Sequence, residues 1–292
     1  MYYKKFLFYF VVSVIVIVPS SCGMSAGSQK TEKSDAEQAE LKGAVRQTID
    51  KYYVATTDSF QQVSKGKLES VYSFVYNKEG NIEESIGKLS YGDNAWISIK
   101  SVYTYGNNGK KTVIAKYDAN GNPDSKEIFE YDSKGNLSKI SVYNAYDVLQ
   151  RESGYVYDVR NNMIEFHQSG EWGLHGFFKY DENNNCIEKT YYNPDGGLRE
   201  ISTLKYNDKG KIIEQQAFNA DAVLVSTTTF VYDKNGNNTE MQLQTTVASD
   251  FNVNERYEYQ FDKNGNWIVK TTYDSKSNKI KSITEREITY YE

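Results

Sequence analysis

Both histidines of the chain, His167 and His175, fall in one stretch, Glu165 to Gly176, together with Trp172, Glu165 and Glu171. Such a set suits a small ligand, with the indole as a stacking platform and the carboxylates as hydrogen-bond acceptors. Zinc held by His167 and His175 would need a third ligand from Glu165 or Glu171, and the spacing matches no established metal motif, so no metal is expected. The plainer reading of the same stretch is a remodelled turn with Trp172 covering a sheet. No nucleophile–base arrangement can be built from two histidines and the two cysteines, Cys22 and Cys186. Paired carboxylates of the glycosidase kind are not marked out, because the aspartates recur at turn positions, as structural capping residues do. Neither a catalytic residue nor a cofactor is expected. The chain reads as a non-enzyme whose candidate ligand residues are Trp172, His167, His175, Glu165 and Glu171.

These residues sit inside a repeat that runs from about residue 67 to the end. An aromatic residue recurs at Tyr76, Tyr105, Tyr131, Tyr157, Tyr180, Tyr206, Tyr232 and Phe261. The position two before it is apolar in all eight units, from Phe74 to Tyr259. Four positions after it stand only Gly or Asn: Gly80, Gly109, Gly135, Asn161, Asn184, Gly210, Gly236 and Gly265. Those two residue types best tolerate positive φ. With Asp or Asn opening the turn, as in Asp132 and Asn207, the pattern specifies a type I turn closed by a left-handed residue. That is the three-residue hairpin loop with a glycine bulge, and it pairs the aromatic residue with the sixth residue after it. In that sixth column stand Ile82, Lys111, Leu137, Met163, Cys186, Ile212, Asn238 and Trp267, six of the eight apolar. Cys186 therefore reads as a small core hydrophobe and Trp267 as structural. The Asp-x-x-Gly-Asn turns offer too few alternating oxygens for calcium.

A second, looser turn alternates with the first, as in Tyr192-Asn193-Pro194-Asp195-Gly196-Gly197-Leu198. Each unit is then two strands and two turns. The pattern Tyr-Asp-x-x-Gly-Asn-Leu followed by such a turn resembles the YD-repeat, or rearrangement-hotspot, family over residues 70 to 280. The resemblance implies a long coiled sheet of hairpins, surface display, and association with carbohydrate or cell-wall material. The encapsulated-toxin role of that family is not implied, since nothing here matches a toxin segment or a self-cleaving element. The fold class expected is all-β: an antiparallel meander of YD-type hairpins forming a twisted or coiled sheet, with one N-terminal capping helix. Its aromatic columns should face inward and alternating residues such as Glu130, Lys179, Lys205 and Gln260 should face water.

Ahead of the repeat lies an address. Lys4 and Lys5 precede an apolar run from Phe6 to Val18, then Pro19-Ser20-Ser21-Cys22. A basic start, a short apolar stretch and small residues before a cut site read as a secretory signal over residues 1–21. The run is short for a span of roughly 20 residues. Cys22 after two serines resembles a bacterial lipobox cysteine, although Pro19 stands where leucine is usual; the resemblance implies palmitate-type lipidation at Cys22. Residues 22–33 read as a polar tether. Residues 34–66 read as an amphipathic helix and its connection, with Ser34 and Glu37 as a capping box and Leu41, Val45, Ile49 and Tyr52 on one face.

Composition fits an exported, thin structure. The chain holds 26 Tyr and 13 Phe among 292 residues, and tyrosine suits half-buried sites where its ring packs and its hydroxyl stays wet. The formal charge of -5 argues against nucleic acid as a partner. The expectation is a lipid-anchored protein of the bacterial cell envelope, at the outer membrane, touching the bilayer through its anchor alone. Its function would be as a binding or adhesion module for glycan. The alternative is a structural or assembly component that pairs with an envelope protein through exposed strand edges.

Overall fold

The computed structural model describes residues 33–57, 63–91, 95–170, 173–246 and 251–292. Cys22, the signal and most of the tether lie outside them, as do Glu171 and Trp172. Eighteen strands follow one another among the described residues. The first half comprises β1 (Val45–Thr57), β2 (Val63–Tyr76), β3 (Ile82–Tyr91), β4 (Ala95–Tyr105), β5 (Lys111–Tyr117), β6 (Pro123–Tyr131), β7 (Leu137–Asn144), β8 (Leu149–Tyr157) and β9 (Met163–Gln168). The second comprises β10 (Leu174–Tyr180), β11 (Cys186–Tyr192), β12 (Leu198–Tyr206), β13 (Ile212–Phe218), β14 (Leu224–Tyr232), β15 (Asn238–Thr245), β16 (Val253–Phe261), β17 (Trp267–Asp274) and β18 (Ile280–Tyr290).

Each strand pairs antiparallel with the next, and β1 pairs with both β2 and β18, so the sheet closes on itself. The expected twisted or coiled sheet with a capping helix is thus corrected to a closed 18-stranded up-and-down β-barrel. The helix expected within 34–66 gives way to β1 and the start of β2. Among the described residues of this stretch only α1, Asp35–Gln38, is helical; its Ser34–Glu37 capping box forms, but Glu40 and Gly43 turn to positive φ and end it. Val45, Thr48, Ile49, Tyr52, Tyr53 and Val54 are β-branched or aromatic, and in β1 they satisfy the two free edges that β2 and β18 would otherwise present.

The register pairs every reference aromatic residue with the residue six later, Tyr76 with Ile82 through to Phe261 with Trp267, each beside a bulge. Gly80, Gly109, Gly135, Asn161, Asn184, Gly210, Gly236 and Gly265 all adopt positive φ. The tyrosine hydroxyls explain why the column is Tyr and not Phe. Tyr105 donates to the Ile82 carbonyl, Tyr131 to Lys111, Tyr180 to Met163, Tyr206 to Cys186 and Tyr232 to Ile212, at 2.7 to 2.8 Å. Each ties one unit to its predecessor. In the last unit Phe261 has no hydroxyl, and Tyr259 donates to the Asn238 carbonyl instead.

Turns are laced laterally as well. Asn136 Nδ2 donates to Asn161 Oδ1, and Asn162 Nδ2 donates to Asn184 Oδ1 at 2.9 Å, the latter pair buried. At Gly196, with φ +83°, nothing lies within 4 Å of an added Cβ. Gly196→Val is therefore expected to cost about 1–2 kcal/mol from backbone strain alone, measurable as a lower urea midpoint. A neutral result there would mean that the turn relaxes to negative φ.

The turn aspartates also set an acid limit. At Asp132, Asp158, Asp181 and Asp233 burial alone would raise the carboxyl pKa, but the amides donated by Asn136, Asn162, Asn185 and Asn237 outweigh it. The net shift is downward. A depressed folded-state carboxylate stabilises above the unfolded value of about 3.9 and loses that contribution as the pH falls through the folded pKa. Asn207 and Asn219 hold the same turn geometry without titrating. Replacing the four aspartates by Asn should therefore shrink the difference in stability between about pH 7 and about pH 3. An unchanged difference would place the acid-sensitive groups elsewhere.

Which wall faces inward follows from α1 and the residues after it. Asp35 accepts from the Ile82 amide and from the Tyr105 hydroxyl, while Ala36 packs with Val45 and Tyr76. Glu40, five residues on, pairs with Lys211 between β12 and β13. Lys42 Nζ donates to the Gly265 carbonyl between β16 and β17. Five residue steps reach at most about 18 Å, yet they join β3–β5 to the β12–β13 turn on the far side of the ring. Only a concave wall can be touched in this way. The aromatic columns therefore line the lumen, and residues 35–42 bridge its mouth at the glycine-turn end. Glu130, Lys179, Lys205 and Gln260 face outward.

Candidate functional site

His167 on β9 and His175 on β10 are cross-strand partners, as are Glu165 and Phe177. All four project from the outer wall. His175 Nε2 donates to Glu165 Oε1 at 2.8 Å, a diagonal pair across the two strands. The His175 ring lies 4.5 Å from Phe177, and Tyr192 on β11 meets Phe177 edge-on at 5.9 Å. Phe177 is 41% exposed, high for a phenyl ring on a strand. His167 is seated over Gly154 on β8, where an added Cβ would stand 2.1 Å from the imidazole. Gly154 thus creates the space that lets His167 lie flat on the sheet.

His167, Gln168, Leu174, His175, Phe177 and Tyr192 line an open cleft of about 390 Å³. The arrangement offers an exposed aromatic face beside a hydrogen-bonded imidazole–carboxylate pair, which suits a polyhydroxylated ligand better than an ion. Among the described residues no group of three His, Cys, Asp or Glu is placed to hold a metal. Of the five residues marked out by sequence, His167 and His175 line this cleft and Glu165 adjoins it through its hydrogen bond to His175, while Glu171 and Trp172 lie outside the described residues. Phe177 and Tyr192 were not marked out, because alternation alone does not say that an aromatic residue on the polar wall has an exposed face.

Cys186 is fully buried on the inner wall, packed with Met163 and Phe178. The outer wall is otherwise charged. Ion pairs recur there: Glu84 with Lys100, Lys139 with Glu130 and Glu152, Lys179 with Glu188, and Lys205 with Glu214.

No family model matches the chain, and no curated protein does. Among solved structures, a porin-like protein from Bacteroides uniformis aligns with a TM-score of 0.47 and 11% identity, covering 85% of this chain and 99% of that one. The Tc holotoxin pore of Photorhabdus luminescens aligns with a TM-score of 0.29 and 13% identity over 70% of this chain. A TcdB2-TccC3-Cdc42 complex aligns with a TM-score of 0.22 and 10% identity over 85% of it. The chain spans 14% and 17% of those two longer chains. The molecule is a β-hairpin repeat protein closed as an even-stranded barrel, an architecture that outer-membrane proteins also use. No described helix is long and apolar enough to cross a membrane.

Proposed function

We propose that this protein is a lipid-anchored binding module of the bacterial cell envelope, of YD-repeat type, that takes carbohydrate at the cleft between β9, β10 and β11. The observation that carries the reading is the exposed Phe177 face beside the His175–Glu165 pair. A pyranose ring would lay its C–H face on Phe177 and direct hydroxyls to the imidazole and carboxylate. Cys22 would carry the acyl chains, and residues 22–33 would tether the barrel to the outer membrane. The outer wall favours a barrel beside the bilayer over one within it. Lipid-facing Lys or Arg near the bilayer midplane costs about 2–4 kcal/mol each, and this wall repeats Lys–Glu pairs around the ring. Several strands are also short, with six residues in β9 and seven in β10 and β11, against about 9–11 for a tilted span. The ring offers no free strand edge, so an assembly role would need another surface than edge pairing.

Binding of the full chain to an array of envelope glycans tests the proposal. Phe177→Ala is expected to weaken binding by about 1–3 kcal/mol, the scale of an aromatic contact. Retained binding in both Phe177→Ala and His175→Ala would overturn the assignment of the cleft. Incorporation of a fatty-acid analogue that persists in Cys22→Ala would overturn the anchor.

A further inference from the structure

The lumen carries a second feature, unrelated to the outer cleft. Eighteen strands at about 4.8 Å spacing give a perimeter of roughly 86 Å, or about 27 Å between opposing backbones if the ring is round. Four neighbouring large apolar side chains on its inner wall stand unusually free: Tyr72 at 38%, Leu89 at 37%, Ile97 at 52% and Ile99 at 46% exposure. They are contiguous. Ser70, Leu89 and Ile97 share one transverse row, and Tyr72, Gly87 and Ile99 share the next. Gly87, lacking a side chain, leaves the Tyr72 ring uncovered, with an added Cβ meeting it at 3.4 Å. The result is an apolar trough facing water on a concave wall.

Following the first of these rows the other way leads through Tyr52 and Thr284 to Lys270. Lys270 Nζ lies 3.9 Å from the Tyr257 ring centroid and 6.0 Å from that of Tyr259. The carboxylate near it is engaged by others: Glu255 pairs with Lys281 at 2.5 Å and accepts from the Tyr257 hydroxyl. Burial pushes the Lys270 amine down from its usual range, with Glu255 opposing the shift. A desolvated ammonium with aromatic neighbours and its neighbouring acid, Glu255, already paired is a cation that gains from an incoming anion.

We infer that the lumen binds an anionic amphiphile, a long-chain acyl carboxylate, with its headgroup at Lys270 and its chain along Leu89, Ile97 and Ile99. Lys270 and Leu89 are four strand spacings apart, about 19 Å along the row, a distance that a long acyl chain spans. Charge selects the headgroup, and the trough removes the chain from water.

The test uses the full chain in vesicles of neutral phospholipid, exposed to hexadecanoate bearing a terminal diazirine and, separately, to the matching alcohol. Adducts from the carboxylate are expected on β2, β3 and β4. Lys270→Met should reduce them by about tenfold, as loss of a charge-assisted contact would, and Lys270→Arg should retain them. Ile97→Ser with Ile99→Ser, which leaves Lys270 in place, should reduce them also and serves if Lys270→Met does not fold. Equal labelling by the alcohol, adducts confined to the outer wall, or labelling indifferent to both sets of substitutions would overturn the inference. None of these outcomes bears on the glycan cleft, whose residues face the other side of the sheet.

Discussion

Phe178→Ala is expected to destabilise the barrel by about 3–4 kcal/mol, within the range for deleting a buried phenyl ring. Phe178 is 5% exposed and forms a cluster with Met163 and Cys186, which are 2% and 0% exposed. Tyr155, Tyr157, Phe166, Tyr180 and Tyr191 pack around it. Its ring meets Tyr191 edge-on at 6.0 Å, and Gly176 lies between them where an added Cβ would come within 3.3 Å of both rings. Collapse into the gap is therefore blocked by side chains already locked in place, which puts the cost above that of a relaxing site. Access from the lumen lets water in and keeps the cost below the upper limit for a dry core. A urea unfolding midpoint measures the change, and Cys186 supplies an independent readout. Its thiol, inert while buried, should alkylate faster in Phe178→Ala than in the parent chain. A loss below about 1 kcal/mol with unchanged thiol reactivity would mean the cluster is not a packed core.

Arg286→Ala should cost about 2–4 kcal/mol and loosen the seam where the ring closes. Arg286 on β18 faces Asp50 on β1 directly in the register, and its Nε and Nη2 donate to the two carboxylate oxygens at 2.7 and 2.6 Å. The guanidinium also stacks on Trp267, its carbon 3.6 Å from the ring centroid. Both partners are largely covered, at 15% and 18% side-chain exposure. Truncation thus strands the Asp50 carboxylate on the inner wall and uncovers the indole at once. Arg286→Lys would restore charge but neither the two-pronged contact nor the stacking, so it should recover only part of the loss. Amide hydrogen exchange locates the effect. Exchange in β1 should quicken before that in β6 or β7, because β1 alone joins the two ends of the meander. Uniform quickening around the ring would mean that the seam is no weaker than any other hairpin.

What was legible in the sequence was local. Gly and Asn bear positive φ at the least cost, so Gly135 and Asn161 announce their turns from four positions of chain. The turn then fixes register, which places Cys186 opposite Tyr180 and sends it to the same wall as Met163. The inward aromatic wall and the outward Lys–Glu wall follow from two-residue alternation. The tyrosine ladder was half legible: the column is visible, but the carbonyl each hydroxyl reaches belongs to the preceding unit.

Closure was not legible, because it depends on β1 meeting β18 across more than 230 residues of sequence, as at Lys51 and Glu287. Leu41, Val45, Ile49 and Tyr52 satisfy helical spacing, yet the last three lie in β1, and spacing alone cannot see two unpaired edges waiting for a partner. Tertiary structure decided the matter, since pairing both edges satisfies more backbone groups than an isolated amphipathic helix could. The cleft divides in the same way. Its histidines, and Glu165 bonded to one of them, stood out by type, whereas Phe177 and Tyr192 joined them only when three neighbouring strands set their rings on one wall. Lys270 was one lysine among many in the sequence; the β16–β17 hairpin sets its amine over Tyr257 and Tyr259, and ring closure puts that surface on a concave wall.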